Sequence, residues 1–321
     1  MFSTTHFPKA LKYWHEGKIY GWTDAHVHPM VHALHYGSSV FEGIRAYSTA
    51  KGIAIFRLKE HLDRFLYSAA VAKMDVPYTR EDITQVIKLT LKENKLESAY
   101  IRPLLFFSYG NLGLVPKFCP VELVVATWEW GAYLGEKSVN GVSVCIVPWR
   151  RLHHSQLDMK AKLGGAYIQS TICGLESRAE GYDEAVFLNL EGNVAEGPGE
   201  NIFISKDGVL KTNDTSESIL EGITRTSLLE MARDSGLKTV IGPISREELF
   251  TADEAFFSGT AVEVTPIIRV TDASNPGGSK REYVIGSGQV GETTRRLRQM
   301  FKEVVTGQIK RYEKWLTFVE R

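Results

Sequence analysis

Residues 160–167, K-A-K-L-G-G-A-Y, constrain this chain most strongly, because they place two lysines at a corner between two regular elements. The preceding run, 141–149, reads as a strand, and residues 168–181 carry the apolar stripe of an amphipathic helix that ends at a glycine. A lysine fixed ahead of a Gly-Gly turn suits covalent amine catalysis, which needs an amine that is held still and partly desolvated. Two solvated lysines in a polar loop are the alternative, and this stretch alone does not choose between Lys160 and Lys162.

Length and charge exclude several classes of protein. The 321 residues are 43% hydrophobic, enough for a large core and two domains. Lys+Arg and Asp+Glu both number 38, so there is no charge excess for nucleic acid or an anionic membrane. Three distant cysteines (Cys119, Cys145, Cys173) favour buried free thiols. No apolar signal core or membrane span is present, and we expect a cytoplasmic protein.

Four histidines, His26, His28, His32 and His35, lie close together near the N-terminus. A His-x-His pair can bind the metal of a hydrolase. Pro29 interrupts the run, and no second histidine or acidic cluster follows downstream. We therefore predict no metal site, although a metal-dependent hydrolase remains the competing function from another class.

Other signals are scattered along the chain. Arg102 lies in the middle of a strand-like run, where an arginine needs an anionic partner or a ligand. Glu196 stands in a glycine-rich loop, and residues 222–224 begin a helix whose free amides suit a phosphate. Arg64, on a predicted helix over 57–73, is by default a solvated or ion-paired residue. The small residues of 257–266 also allow an anion to approach the backbone.

The segment G-S-G-Q-V-G, residues 286–291, matches the dinucleotide-binding pattern G-x-G-x-x-G. That fold needs a further parallel sheet and an acidic residue downstream, but only residues 292–321 follow. We read them as a helix with a polar tail, and we reject a dinucleotide site.

A lysine on a turn, a carboxylate in a glycine-rich loop and a phosphate-binding helix end together indicate pyridoxal phosphate. Seven motifs support this: H-A-L-H-Y-G-S-S-V-F-E-G-I-R at 32–45, A-Y-I-R-P-L at 99–104, W-G-A-Y-L-G at 130–135, K-L-G-G-A-Y at 162–167, E-G-P-G-E-N at 196–201, L-E-G-I-T-R at 220–225 and S-G-T-A-V-E-V-T-P at 258–266. In this order, over nearly the whole chain, they resemble the branched-chain amino acid aminotransferases of the class IV (D-alanine transaminase-like) pyridoxal phosphate enzymes.

The resemblance implies an α+β, two-domain fold of type IV. A small N-terminal α/β domain would span 1–133, a linker 134–141, and a larger cofactor-binding domain with a barrel-like β core 142–321. The cofactor is expected at the domain interface. The minimal active unit would be a homodimer, with a hexamer as a larger assembly. Substrates would be L-leucine, L-isoleucine and L-valine with 2-oxoglutarate, giving branched 2-oxo acids and L-glutamate.

The resemblance also assigns the cofactor residues, and it selects Lys162 over Lys160. Lys162 would carry the cofactor as a Schiff base and then move a proton between the substrate Cα and the cofactor C4′. Glu196 would keep the pyridine nitrogen protonated, and Tyr167 would bind the ring oxygen. The two glycines after Lys162 would clear space beside the cofactor. The remaining cofactor-binding residues would be Arg64, Leu220, Ile223, Thr224 and Thr260, all but Leu220 at the phosphate.

A mostly apolar substrate pocket is implied as well. Its members would be Phe41, Trp130, Tyr133 and Ala261, with Tyr36 and Leu114 from a neighbouring subunit. Tyr100 and the backbone of Thr260 and Ala261 would bind the α-carboxylate, and Arg102 the second carboxylate of glutamate. Gly259 would also belong to the substrate site. Two departures from the family pattern are Ala166, where asparagine is common, and the loop 111–118. The nearest alternatives are a D-amino acid or (R)-amine transaminase, a lyase of the aminodeoxychorismate type and a binding module without catalysis.

Overall fold

The computed structural model describes residues 12–25, 27–131, 134–135, 137–275 and 277–320. They form two compact units, the first from Met1–Gly131, Ala161–Ala166 and Glu303–Arg321, the second from Ala132–Lys160 and Tyr167–Lys302. Helices and two sheets are present, so the predicted α+β class is confirmed. The domain limits given above stay a prediction.

The elements follow one another along the chain in a single order. They are β1 Lys12–His15, β2 Lys18–Gly21, α1 His32–Tyr36, β3 Ser39–Phe41, β4 Ile44–Thr49, β5 Gly52–Phe56, α2 Leu58–Val71, α3 Arg80–Asn94, β6 Ala99–Phe107, β7 Val121–Trp128, α4 Lys137–Asn140, β8 Val142–Arg150, α5 Tyr167–Ala179, β9 Glu184–Leu188, β10 Asn201–Lys206, β11 Val209–Thr212, α6 Ile223–Asp234, β12 Lys238–Ile241, α7 Arg246–Phe250, β13 Glu254–Gly259, β14 Glu263–Asp272, β15 Arg281–Val284, α8 Glu292–Val305 and β16 Leu316–Phe318.

The first unit contains an antiparallel sheet of eight described strands, in the order β16-β5-β4-β6-β7-β1-β2, with β3 beside β6. Helices α2 and α3 contribute Leu62, Phe65, Ile83, Ile87 and Leu91 to its core, and all five are fully buried. Thr79 and Asp82 form the capping box at the start of α3, as the sequence predicts. The core thus fixes α2, which carries Arg64.

The C-terminal segment corrects one prediction. We expected a polar tail after α8, but Tyr312 and Trp315 are buried, and β16 pairs with β5. The guanidinium of Arg57 lies 4.6 Å from the centre of the Trp315 ring. The three residues of β16 are too few to show strand alternation, and their partner strand is distant in sequence. Only the tertiary fold reveals this strand.

The second unit contains a mixed sheet of eight described strands, ordered β12-β11-β10-β13-β14-β8-β9, with β15 beside β14. The pairs β11–β12, β8–β14 and β8–β9 are parallel. Val194 forms single bridges to Leu188 in β9, at one end of this order, and to Ile244, which follows β12 at the other end. The result agrees with the predicted barrel-like core.

Several local predictions in this unit are confirmed. The turn at 206–208 joins antiparallel β10 and β11, Ser245 and Glu248 form a capping box, and α8 begins directly after Gly291. Cys145 and Cys173 are buried free thiols as predicted, whereas the free thiol of Cys119 is only partly buried. No described helix is long and apolar enough to cross a membrane.

Candidate active site

The backbone of Lys162 is held within the first unit by two hydrogen bonds. Its N–H donates to Ser68 Oγ at 2.8 Å, and its carbonyl accepts from the N–H of Phe41 at 3.3 Å. The next residue, Leu163, forms a bridge with Val40. Ser68 is fully buried on α2, so the lysine is anchored to both the helix and the sheet. A fixed backbone is what a catalytic amine requires.

The two glycines after Lys162 have a packing role inside the first unit. A Cβ added to Gly164 would collide with Ser39 Oγ. A Cβ added to Gly165 would lie 3.2 Å from the Gly37 carbonyl oxygen, which is a tight contact. The segment at 37–39 therefore comes close to both glycines, most closely at Gly164.

Arg64 is paired with a buried carboxylate, Glu42, to which the motifs assign no role. Its Nε lies 2.5 Å from Glu42 Oε1 and its Nη2 lies 3.0 Å from Oε2. His61 Nδ1 lies 2.8 Å from the same Oε2, and Glu42 is fully buried. The fork between the guanidinium and the carboxylate fixes the direction in which Arg64 points.

The protonation of this cluster follows from burial and charge. Burial by itself raises the pKa of Glu42, but Arg64 and His61 outweigh burial, and the net shift is downward. Burial lowers the pKa of His61 despite the neighbouring Glu42. A neutral His61 supplies a hydrogen bond rather than a charge, so we assign the charge compensation to Arg64.

Four of the predicted substrate residues come together in the first unit. The guanidinium of Arg102 lies 4.7 Å from the centre of the Phe41 ring and 5.4 Å from that of Tyr100. Its Nη2 donates to the Tyr100 hydroxyl at 3.2 Å, and Trp130 packs edge-on against Tyr100. Arg102 Nε has no hydrogen-bond partner among the described residues. A cation thus lies inside an aromatic cluster with donor capacity to spare.

The segment that carries Trp130 is held by Arg45, whose Nη2 donates to the carbonyls of Trp130 and Gly131 at 3.3 and 2.9 Å. Tyr133, the next predicted pocket residue, lies outside the described residues, as does His26 of the histidine cluster.

Tyr36 and Leu114, predicted to reach a neighbouring subunit, lie on one exposed surface. The Tyr36 hydroxyl donates to the Leu112 carbonyl at 3.0 Å, and Leu114 is 77% exposed. His32 connects the same two segments, with Nε2 3.0 Å from the Gly113 carbonyl and Nδ1 2.7 Å from Ser38 Oγ. These ring nitrogens serve structural hydrogen bonds.

In the second unit Glu196 is paired with Arg151. Both are 3% exposed, and Arg151 Nε and Nη2 each lie 2.9 Å from Glu196 Oε1. The other oxygen, Oε2, accepts from Asn201 Nδ2 and from the Leu220 N–H, both at 3.1 Å. The predicted carboxylate is therefore buried, oriented and compensated by charge.

The predicted phosphate-binding helix is present as α6. Gly222 is its N-cap, no described side chain caps it, and Ile223 and Thr224 supply its first amides. A Cβ on Gly222 would collide with Asn201 Oδ1, so only glycine fits there. Free amides at the positive end of a twelve-residue helix suit an anion.

The other predicted residues of this unit lie at the ends of regular elements or in a turn. Tyr167 begins α5, Gly259 ends β13, and Thr260 and Ala261 form the turn to β14. Ser258, fully buried beside that turn, has a hydroxyl without a hydrogen-bond partner in the described part of the chain.

Four functional candidates were missed by sequence reasoning: Glu42, Ser68, Arg151 and Asn201. Glu42 and Asn201 stood inside quoted motifs, and Ser68 is a small polar residue among apolar ones on α2. Arg151 follows Arg150 at a strand end, which resembles an ordinary exposed position. Only its burial identifies it.

Glu200, in the same loop as Glu196, is also buried, and its carboxylate accepts from the Gly199 N–H at 2.9 Å. Burial, reinforced by the charge of Glu184, raises the pKa of Glu200 to about 8. The pKa of Glu184 is raised as well, again chiefly by burial. At neutral pH the Glu200 carboxyl is therefore mostly protonated.

We predict that Glu42→Gln destabilises the protein strongly, because Arg64 loses its buried counter-charge. A loss of about 3–5 kcal/mol in the free energy of unfolding is expected when one partner of a buried pair is removed. Denaturant unfolding of the cofactor-free protein measures it. The matched control is Glu60→Gln. The Glu60 carboxylate also pairs with an arginine, Arg57, but it is 38% exposed. Equal losses in both variants would contradict the role of Glu42.

We predict that Glu200→Gln removes part of the pH dependence of stability. A carboxyl whose pKa rises from 4.5 to about 8 on folding binds its proton more tightly in the folded state. Its contribution to the free energy of unfolding is complete below 4.5 and is lost as the pH rises to about 8. Thermal unfolding across this range should show a flatter profile for the variant than for wild type. Glu191→Gln, exposed in the same loop, should keep the wild-type profile.

Comparison with known proteins identifies the family. The model of the family described as amino-transferase class IV matches residues 39–270. The branched-chain-amino-acid aminotransferase of Pseudomonas aeruginosa is 43% identical over 309 residues, covering 96% of this chain and 97% of that protein.

Two crystal structures of the T.th. branched-chain amino acid aminotransferase are similar as well. One, complexed with N-(5'-phosphopyridoxyl)-L-glutamate, has a TM-score of 0.89 at 43% identity and covers 97% of this chain and 99% of that one. The other, complexed with 4-methylvaleric acid, has a TM-score of 0.88 at 42% identity with the same coverage. The chain belongs to the class IV aminotransferases, and within them to the branched-chain amino acid aminotransferases.

Proposed function

We propose that this chain transfers the amino group between branched-chain L-amino acids and 2-oxoglutarate, with pyridoxal phosphate as cofactor. One observation carries the proposal: the Arg102 cation faces the Phe41 and Tyr100 rings and keeps an N–H donor that no described residue uses. This arrangement suits a pocket that accepts an apolar side chain in one half-reaction and an acidic one in the other.

The residues present fit the cofactor by their chemistry. Lys162 supplies an amine on a fixed backbone, Glu196 an oriented carboxylate for the pyridine nitrogen, and α6 free amides for a phosphate. Arg64 would add a positive charge at the phosphate, in a direction set by Glu42. Leu220, Thr260 and Tyr167 complete the proposed cofactor set.

Pyridoxal phosphate, when bound, supplies an aldehyde for the amino group and an electron-withdrawing ring. Lys162 would hold that aldehyde covalently, release it to the substrate amine, and then move the proton between the substrate Cα and the cofactor C4′. Glu196 would accept a hydrogen bond from the ring N–H. Tyr167 would donate its hydroxyl proton to the ring oxygen.

The substrate is proposed to bind through both ends. Tyr100, with the backbone of Gly259, Thr260 and Ala261, would hold the α-carboxylate. Arg102 explains how one pocket would accept both the apolar side chain of leucine and the acidic side chain of glutamate. When leucine is bound, the aromatic faces and the Tyr100 hydroxyl still stabilise the cation; when glutamate is bound, the free edge of the guanidinium can meet the second carboxylate.

The ligands of the similar structures support this reading. The T.th. enzyme was solved with a glutamate adduct of the cofactor and with 4-methylvaleric acid. That acid has the carbon skeleton of leucine without its amino group, so one protein accommodates both side chains. We extend this dual use to the present chain. A cytoplasmic location stays a prediction.

The proposal is tested by the absorption spectrum of the purified, cofactor-loaded protein. We expect L-leucine, added without an acceptor, to remove the yellow band and raise the shorter-wavelength band of the pyridoxamine form. Lys162→Ala should abolish the change, whereas Lys160→Ala, at the neighbouring exposed lysine, should retain it. Conversion by D-leucine or an (R)-amine, but not by L-leucine, would favour the alternative transaminase.

Arg102 gives a second test with an internal control. Arg102→Met should reduce kcat/KM for glutamate on the order of 10- to 100-fold, because a charge-assisted hydrogen bond is lost. The half-reaction with L-leucine should change only a few-fold, since its side chain carries no charge. Stopped-flow measurement of both half-reactions on one preparation decides the point. Equal losses for both substrates would contradict the proposed role.

We further propose a homodimer as the active unit. The surface that carries Tyr36 also exposes Leu34, Leu114, Val115 and Phe118, the last three at 74–80%. So much apolar surface on two adjacent segments is typical of a protein interface. It agrees with the expectation that Tyr36 and Leu114 serve the neighbouring subunit. A hexamer remains a prediction.

We predict that the double variant L114D/F118D is monomeric at concentrations where the wild type is dimeric, because two carboxylates cannot be desolvated at the interface. Size-exclusion chromatography with light scattering measures the mass. The control is Leu89→Asp on α3, where the leucine is 42% exposed. A dimeric double variant would place the interface elsewhere.

A further inference from the structure

The ion pair between Arg151 and Glu196 has a feature that the proposed reaction does not use. Arg151 bonds one carboxylate oxygen, Oε1, through two N–H groups at 2.9 Å. The neutral donors Asn201 Nδ2 and Leu220 N–H bind the other oxygen at 3.1 Å. The charged partner and the neutral partners thus occupy opposite edges of the carboxylate.

Arg151 is itself fixed. Its N–H donates to the Leu188 carbonyl at 2.8 Å, its Nη1 lies 3.3 Å from Ser170 Oγ, and its guanidinium lies 5.2 Å from the centre of the Phe187 ring. A side chain held by contacts to β9 and α5 cannot swing away when a ligand arrives. The compensating charge at Glu196 is permanent.

Two other titratable groups near Glu196 do not take the place of Arg151. The charge of Glu196 influences the pKa values of both Arg225 and Glu200. Arg225 is buried and bonds the Asn213 carbonyl through Nη2, while Glu196 accepts no hydrogen bond from it among those described. Burial raises the pKa of Glu200 to about 8, so that carboxyl is mostly neutral at pH 7. Arg151 is in direct contact with Glu196.

Resting on the function proposed above, we propose that Arg151 is a positioning residue that keeps Glu196 ionised before the cofactor binds, so that binding requires no proton exchange at this carboxyl. Without Arg151, a carboxyl that is 3% exposed would take up a proton in the cofactor-free protein. A cofactor with a protonated ring nitrogen would then have to displace that proton on binding. Oε2, whose donors Asn201 and Leu220 are neutral, is the oxygen that we assign to the ring N–H.

The experiment measures protons rather than activity. Pyridoxamine 5'-phosphate, which forms no covalent bond with Lys162, is titrated into the cofactor-free protein by calorimetry in buffers of different ionisation enthalpy. On binding pyridoxamine 5'-phosphate, Arg151→Gln should release about one more proton per subunit than the wild type. Over the pH range in which Glu196 of the variant is protonated, the affinity of the variant for this ligand should rise about tenfold per pH unit relative to the wild type. The double variant R151Q/E196Q should release no additional proton.

Two further variants sharpen the result. Arg151→Lys keeps the charge but loses the contact of two nitrogens with Oε1, so it should match the wild type in proton release and bind less tightly. Arg150→Gln, at the neighbouring arginine, should match the wild type in both. If Arg151→Gln does not fold, R151Q/E196Q should restore folding, because the double variant no longer buries an ionisable carboxyl that lacks its counter-charge; failure to restore it would overturn the proposal.

Failure of the proposed function and failure of the Arg151 role give different results. A wild-type protein that does not bind pyridoxamine 5'-phosphate would overturn the proposed function. Binding by wild type and Arg151→Gln with the same proton release would overturn the role of Arg151 alone.

Discussion

In each unit of this protein a buried carboxylate is held by an arginine, and the candidate chemistry depends on these two ion pairs. Glu42 orients Arg64 in the first unit, and Arg151 orients Glu196 in the second. A buried charge is tolerated only when it is paired and hydrogen-bonded. Arg64 meets both oxygens of Glu42, and two nitrogens of Arg151 meet one oxygen of Glu196. Both pairs therefore also set directions, which a solvated charge cannot do.

The same rigidity extends to the lysine proposed to be catalytic. Lys162 is bonded to Ser68 on α2 and to Phe41 on β3, so its backbone is fixed to the first unit before any ligand binds. Ser68 also donates to the Arg64 carbonyl at 2.8 Å. One turn of helix thus positions both the amine and the arginine proposed to bind the phosphate.

At the proposed substrate site, a half-buried cation is stabilised in a different way. Within the described part of the chain, Arg102 is stabilised by aromatic faces and one hydroxyl rather than by a carboxylate. A salt bridge would neutralise the arginine and leave nothing for a substrate carboxylate. Aromatic rings stabilise the charge without consuming its donors, and in this way the proposed pocket of apolar residues would also recognise glutamate.

The sequence by itself determined the family, the α+β class and most helices and strands. It also gave the candidate residues Lys162, Glu196 and Arg64. These signals are periodicities, caps and motifs, and each depends only on residues close together in the chain. It did not reveal β16, nor the partners Glu42 and Arg151. Those depend on contacts between residues far apart in the chain. Arg151 is 45 positions from Glu196, and burial gives their pairing its strength. Only the tertiary structure decided which charges are desolvated, and desolvation is what turns an ordinary arginine into a positioning residue.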